Sequence, residues 1–224
     1  MKKLHVLLGM GLILMGFVSC NTKSSPDYST TVDVFSQTTV YNNDTVHGIV
    51  YSVITLTPAA SVEVQTPDGQ TVPLDSYDGS GYSYYKQTPD SLMTSSVPVA
   101  GTYTFTVNFS GGMTATDTNT LTSDFLYPPH IVTAEYQSST GGVYLKWDAV
   151  TNADGYQIKV FSGDTQVYNI APFSGSTEIT IPTSYLSNYV PGTLKFEIIA
   201  LKFESSAYTS IQTISTTNRN ITIN

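Results

Sequence analysis

Short alternations of apolar and polar residues dominate the chain beyond its first twenty residues. Residues 100–107 (AGTYTFTV) alternate strictly, and residues 155–160 (GYQIKV) show the same period of two. Such runs end at Gly, Pro, Asn or Asp, as β-strands do, and no window of a dozen residues has helical periodicity. Roughly 200 residues with a turn signal about every ten predict an all-β protein of two consecutive β-sandwich domains.

The division between these domains is expected at Tyr127-Pro128-Pro129-His130. Two adjacent prolines fix φ and remove two backbone donors, which is typical of a stiff linker. The chain is therefore predicted to contain four segments: a signal peptide over 1–19, a flexible tether over 20–30, an Ig-like β-sandwich over 31–127 and a fibronectin type III-like β-sandwich over 128–224.

A hairpin is predicted near the middle of the first half. Residues 62–65 (VEVQ) alternate, Thr66-Pro67-Asp68-Gly69 places Pro and Gly for a tight turn, and Val72 and Leu74 lie in the return strand.

Residues 101–107 (GTYTFTV) resemble the G-x-Y-x-(C or apolar)-x-V strand of immunoglobulin-like domains. In that family the tyrosine makes a corner hydrogen bond, a role that the resemblance assigns to Tyr103. Phe105 stands where antibody domains have a disulfide cysteine, and bacterial Ig-like domains commonly lack that disulfide.

The second half is similar to a fibronectin type III domain across nearly all of residues 129–224. Trp147 matches the buried tryptophan of the family's second strand and Tyr156 the aromatic residue of its third. The Pro191-Gly192-Thr193 turn leads into a penultimate strand that ends in alanine. The family's corner tyrosine is missing, since Leu194 and Lys195 stand near its place.

The N-terminus has the layout of an export signal. Lys2 and Lys3 precede an apolar run over residues 7–18, which is too short to span a membrane. Phe17-Val18-Ser19-Cys20 resembles the lipobox of bacterial lipoproteins, which implies that Cys20 carries a lipid anchor in the cell envelope, at the outer membrane. A plain signal peptide or a short N-terminal helix is the alternative. Cys20 is the only cysteine, so the chain cannot form an internal disulfide.

The acidic composition excludes one class of binding partner. The net charge is −8, and residues 21–127 contain ten acidic residues against Lys23 and Lys86 alone. A chain this poor in cations cannot neutralise a row of phosphates, so we expect no nucleic-acid partner.

The sequence offers little for catalysis. Beyond the signal only His47 and His130 remain, which suits a strand-surface and a linker histidine better than a zinc site. The G-x-S-x-G motif is absent. We therefore expect a protein that is not an enzyme.

Residues 74–85 (LDSYDGSGYSYY) form the most unusual segment. Asp75 and Asp78 among glycines suggest a calcium loop, although solvated turn acids explain them more simply. Four tyrosines suit the binding of sugars or protein surfaces, although tyrosine also fills half-buried strand positions. The four candidates are Tyr77, Tyr82, Tyr84 and Tyr85. Strand alternation predicts that Tyr82 and Tyr84 face one side of the sheet and Tyr85 the other.

These features together predict an envelope-anchored, non-catalytic binding lipoprotein that is accessory to glycan capture. The main alternative is a structural adhesin or assembly component of the cell envelope. Its partner would add to a sheet edge, for which the threonine-rich run over 114–122 is the candidate. A remote alternative is a small glycan hydrolase that uses Asp75 and Asp78. No cofactor is expected except calcium, and the partner is a carbohydrate or an envelope protein.

Overall fold

The computed structural model describes residues 26–205 and 210–224. Of these residues 62% are in strands and 5% in helices, which confirms the all-β sandwich fold. The strands are β1 (Thr30–Tyr41), β2 (Asp44–Thr55), β3 (Ala59–Gln65), β4 (Thr71–Ser76), β5 (Ser83–Gln87), β6 (Gly101–Phe109), β7 (Thr114–Leu121), β8 (Ile131–Gln137), β9 (Gly142–Trp147), β10 (Gly155–Ser162), β11 (Thr165–Phe173), β12 (Glu178–Pro182), β13 (Gly192–Phe203) and β14 (Ile211–Ile223). Two 3₁₀ turns span Asp90–Leu92 and Thr183–Tyr189. Within the described residues, no helix is long and apolar enough to cross a bilayer.

The first seven strands form one sandwich. Strands β1, β2 and β5 pack against β4, β3, β6 and β7, and the last two residues of β4 also pair with β5. The interior is filled by alternate residues of the strands, as the pattern over 100–107 predicts: Tyr103, Phe105 and Val107 are all buried. The Tyr103 hydroxyl donates to the carbonyl of Val99 at 2.7 Å, which confirms the corner hydrogen bond.

The predicted hairpin is also confirmed. Val62 lies opposite Leu74 and Gln65 opposite Thr71 in the β3–β4 pair. Gly69 has φ of 84°, a conformation that glycine adopts without steric cost.

The last seven strands form the second sandwich. Strands β8, β9 and β12 make a three-stranded sheet, which packs on β11, β10, β13 and β14. Trp147 is 1% exposed and lies edge-on to Tyr156, with ring centroids 5.3 Å apart. The tryptophan therefore belongs to the core, as the sequence predicts.

The two sandwiches share a sheet. Strand β1 pairs in parallel with β14, from Ser36 opposite Thr213 to Thr39 opposite Thr216. This seam makes one eleven-stranded sheet in the order β11-β10-β13-β14-β1-β2-β5-β4-β3-β6-β7. Neither β1 nor β14 is left as an open edge, because each has a neighbour on both sides.

A third hydrophobic cluster lies on this shared sheet. It joins Phe35 and Val50 of the first sandwich to Ile199, Leu201 and Ile214 of the second. Apolar side chains from both halves are thus buried against one another. This burial stabilises the seam by roughly 25 cal/mol for each Å² of apolar surface removed from water.

Candidate functional site

The segment between the sandwiches, residues 122–130, crosses the seam and is tied to it. The Ser215 hydroxyl donates to the carbonyl of Tyr127 at 2.8 Å, and the Ser36 hydroxyl lies 3.4 Å from the carbonyl of Asp124. Leu126 is buried in the core of the second sandwich. The segment is therefore bound to both strands of the seam, and within the expected linker it is the Tyr127 carbonyl that makes this contact.

A cleft of about 470 Å³ opens beside this segment. One wall is the segment itself and the other is the loop between β9 and β10. The lining residues are Ser123, Asp124, Phe125, Tyr127, Pro128, His130, Asp148, Ala149, Val150, Thr151 and Asn152.

Aromatic rings form one side of the cleft. Phe125 lies edge-on to Tyr127, with centroids 5.1 Å apart, and edge-on to His47 at 5.0 Å. Tyr127 is 66% exposed. Phe125 thus supports an aromatic ring whose surface is open to solvent.

Polar groups form the other side. His130 Nδ1 lies 2.8 Å from Asp148 Oδ2, and the Asp148 amide donates to the His130 carbonyl at 2.9 Å. The Tyr156 hydroxyl accepts a hydrogen bond from the Val150 amide at 2.8 Å, which ties the loop between β9 and β10 to the core residue Tyr156. Asn152 has φ of 67°, a turn conformation that asparagine tolerates.

Lys202 pairs with Asp124, one of the residues that line the cleft. Its Nζ lies 2.6 Å from Asp124 Oδ2, and this hydrogen bond holds the pKa of Asp124 below its ordinary value. Asp124 therefore stays ionised and paired in neutral solution.

The His130–Asp148 pair has the contact that orients a catalytic histidine, with the carboxylate at Nδ1. A nucleophile would also have to lie within hydrogen-bond reach of the ring. In the described lining of the cleft, neither the Ser123 nor the Thr151 hydroxyl is hydrogen-bonded to His130. The two side chains are 77% and 66% exposed, so the cleft is suited to hydrogen bonding with a ligand rather than to a water-excluded reaction.

The four candidate tyrosines do not form one exposed surface. Tyr84 is 4% exposed and its hydroxyl donates to the carbonyl of Ala59 at 2.7 Å. Tyr85 is half-buried beside Tyr77, with centroids 6.5 Å apart, and donates to Gln87 Oε1 at 2.8 Å. Tyr82 is 46% exposed. The prediction that Tyr82 and Tyr84 face the same side is wrong, because β5 begins at Ser83 and alternation does not extend back to Tyr82.

The two candidate calcium ligands, Asp75 at the end of β4 and Asp78 in the loop that follows, are both exposed. Asp78 Oδ1 accepts from the Ser80 amide at 2.9 Å, and hydrogen bonds from Ser80 lower the pKa of Asp78. Asp75 pairs with Tyr85 at the end of β4. In the described part of the chain, no three His, Cys, Asp or Glu residues are grouped as a metal site. Calcium binding here stays a prediction, as does a binding role for the tyrosines.

The two other features that the sequence singled out, His47 and the run over 114–122, belong to the first sandwich. His47 is 8% exposed and its Nδ1 lies 3.0 Å from the Thr38 hydroxyl, so the expectation of a surface histidine is wrong. Burial lowers the pKa of His47. The run over 114–122 contains β7, which is the terminal strand of its sheet. Cys20 lies outside the described residues.

Sequence reasoning missed the cleft. Its walls come from segments about twenty residues apart, the sequence pattern places Tyr127 in a proline linker, and no pattern singles out Phe125. An aromatic residue next to paired prolines and a histidine was the available signal.

No protein-family model and no curated protein matches the sequence. Several solved structures show a weak likeness, and three of them overlap the chain as follows. A cytokine receptor complex is 15% identical with a TM-score of 0.33, over 77% of this chain and 90% of that one. The BSP domain of a biofilm-associated protein is 15% identical with a TM-score of 0.25, over 85% and 29%. A bacterial ice-binding adhesin is 10% identical with a TM-score of 0.28, over 89% and 66%. The function must be inferred from the chain's own residues.

Proposed function

We propose that this protein is a non-catalytic binding protein of the bacterial cell envelope, anchored through Cys20, and that the cleft beside residues 122–130 binds a neutral glycan. The observation that carries the proposal is the cleft itself, with the open ring of Tyr127 facing hydrogen-bonding side chains.

The chemistry of the cleft matches that of a sugar. A pyranose offers apolar C–H faces that pack on aromatic rings, and hydroxyls that both donate and accept. Tyr127 supplies the ring, while Thr151, Asn152 and Asp148 supply donors and acceptors. The Asp124 and Asp148 carboxylates disfavour an anionic ligand.

Affinity electrophoresis in native gels tests this function. Soluble neutral polysaccharides are cast into the gel, and at least one should retard the wild-type protein. Tyr127→Ala should abolish the retardation, because it removes the stacking surface. Tyr185→Ala is the matched control, since Tyr185 is 60% exposed and lies outside the cleft. Absence of retardation by every polysaccharide, or equal retardation of Tyr127→Ala, would contradict the proposal.

The lipid anchor has its own test. Cys20→Ala should move the protein from the membrane fraction to the soluble fraction and abolish its labelling by palmitate, because the thiol carries the acyl chain. Labelling that persists in the variant would exclude Cys20 as the attachment site.

We also propose a fibronectin type III-like assignment for the second sandwich. The buried Trp147–Tyr156 contact and the three-plus-four arrangement of its strands support it.

The adhesin alternative has one specific observation in its favour. Strand β7 is terminal, and its threonines alternate outward over Thr114–Leu121. A partner strand could pair there. The double variant Thr116→Lys, Thr118→Lys should block such pairing while leaving polysaccharide binding intact. Co-purification of an envelope protein with the wild type, and its loss in this variant, would favour the alternative.

A further inference from the structure

A lysine is buried without a partner in the second sandwich. Lys159 on β10 is 0% exposed, and its Nζ has no hydrogen-bond partner. Its side chain lies on the face opposite to Ile158 and Val160, which fill the sandwich core. An unpaired ammonium group in such a place is costly, so this amine calls for a physical explanation.

Two reactive groups lie directly beside this lysine. Register places Lys159 opposite Asn169 of β11 on one side and opposite Glu197 of β13 on the other. Direct cross-strand pairs share a face and have Cβ atoms about 4.5–5.5 Å apart. The structure thus places an amine, a carboxamide and a carboxyl in one row across three strands.

The surroundings favour the uncharged forms of the two titratable groups. Burial lowers the pKa of Lys159 and raises the pKa of Glu197. A neutral amine has the lone pair that a nucleophile needs, and a protonated carboxyl can donate a proton.

The carboxamide is also held by a donor. Gln157 Nε2 lies 3.0 Å from Asn169 Oδ1. This donor points at the oxygen on which negative charge develops when a nucleophile adds to the carbonyl carbon.

From this row of side chains we propose that Lys159 and Asn169 become joined by an intramolecular isopeptide bond. Lys159 Nζ adds to Asn169 Cγ, and the bond from Cγ to the amide nitrogen breaks. Glu197 passes its proton to the leaving nitrogen and takes a proton back from the attacking amine, so the carboxyl ends as it began. One molecule of ammonia is released, and no oxidant or reductant takes part.

The bond has a structural consequence. Strand β11 is the terminal strand of the shared sheet, with β10 as its only strand neighbour among the described residues. A covalent link from β10 to β11 prevents this edge from separating. It also converts the unpaired amine into a neutral amide.

Peptide mapping of the full chain tests the proposal. Trypsin cleaves after lysines with a free amine, and in residues 147–195 such sites occur only at Lys159 and Lys195. The unfolded wild-type protein should give one peptide spanning 147–195, uncut after Lys159 and lighter than its sequence by one ammonia. Cleavage after Lys159 with both peptides at full mass would overturn the proposal. Cleavage there with ammonia missing would show a cyclised asparagine and would overturn it too.

Variants separate the roles of the three residues. Asn169→Ala and Glu197→Gln should each restore cleavage after Lys159, the first by removing the acceptor and the second by removing the proton carrier. Circular dichroism must show that each variant is folded. Lys195→Arg is the matched control, since it changes a cation that contacts Phe161 and should leave the 147–195 peptide joined. A joined peptide in the folded Asn169→Ala variant would contradict the bond, and one in Glu197→Gln would contradict the assigned role of the carboxyl.

Discussion

At the scale of single residues, the Tyr103 hydroxyl shows how one polar group fixes a strand. The ring is 2% exposed, and the hydroxyl reaches the carbonyl of Val99 four residues upstream. The G-x-Y-x-F-x-V pattern allowed this contact to be predicted, because its two partners are close in sequence. The position of His47 could not be predicted in this way, since its burial depends on Phe125 from a distant segment.

Tyr103→Phe removes this hydrogen bond and leaves the ring packed. We expect the free energy of unfolding to fall by about 1 kcal/mol, the usual net contribution of one hydrogen bond. Urea denaturation measures the change. Tyr82→Phe, at an exposed position, should leave the midpoint unchanged. An unchanged midpoint for Tyr103→Phe would show that the corner bond does not stabilise the sandwich.

Asp33 makes stability depend on pH. Burial raises its pKa from 3.8 to about 7, and Oδ1 of its carboxyl has no hydrogen-bond partner. Between about pH 4 and pH 7 the folded protein keeps a proton that the unfolded chain has lost. The free energy of unfolding should therefore fall as pH rises through this window, by at most about 4 kcal/mol at about 1.4 kcal/mol per pKa unit.

Urea denaturation at a series of pH values checks this dependence. Asp33→Asn should remove the decline, and the variant should be more stable than the wild type above pH 7. Asp75→Asn, at an exposed position, should keep the wild-type slope. A wild-type stability that is constant, or that rises, from pH 4 to pH 7 would contradict the expected contribution of Asp33.

At the scale of elements, short-range patterns determine strands and turns well. The β3–β4 hairpin follows from Pro67 and Gly69, and the strand over Gly101–Phe109 follows from strict alternation. The conformation of the loop before β5 cannot be predicted from turn residues or from strand alternation. Gly81 has φ of 80° and Tyr82 precedes the strand, so the orientation of Tyr82 is set by the loop and not by the strand.

Two glycines should respond differently to alanine. At Gly69, φ is 84° and an added Cβ meets nothing within 4 Å, so Gly69→Ala should lower the free energy of unfolding by about 1 kcal/mol through backbone strain alone. At Gly81 an added Cβ would also lie 2.7 Å from the Ala59 carbonyl oxygen. Gly81→Ala should therefore cost clearly more in urea denaturation. Equal losses would contradict the close approach of the loop to β3.

At the scale of the whole molecule, the decisive contact is the parallel seam of β1 and β14. Ser36 and Thr213 are far apart in sequence, and no short-range pattern relates β1 to β14. Local periodicity therefore predicts two sandwiches and cannot predict that they share a sheet. The cleft beside residues 122–130 depends on this arrangement, because the segment is held by Ser36 on one strand and Ser215 on the other.

Hydrogen exchange of the backbone amides in the seam tests this account most directly. If the two halves form one sheet, those amides within residues 36–39 and 213–216 that donate across the β1–β14 pair should exchange as slowly as the amides of β6 and β13 in the two cores. Rapid exchange there, at the rate of the exposed turn at Gly111, would show that the sandwiches are separate and would contradict the shared sheet.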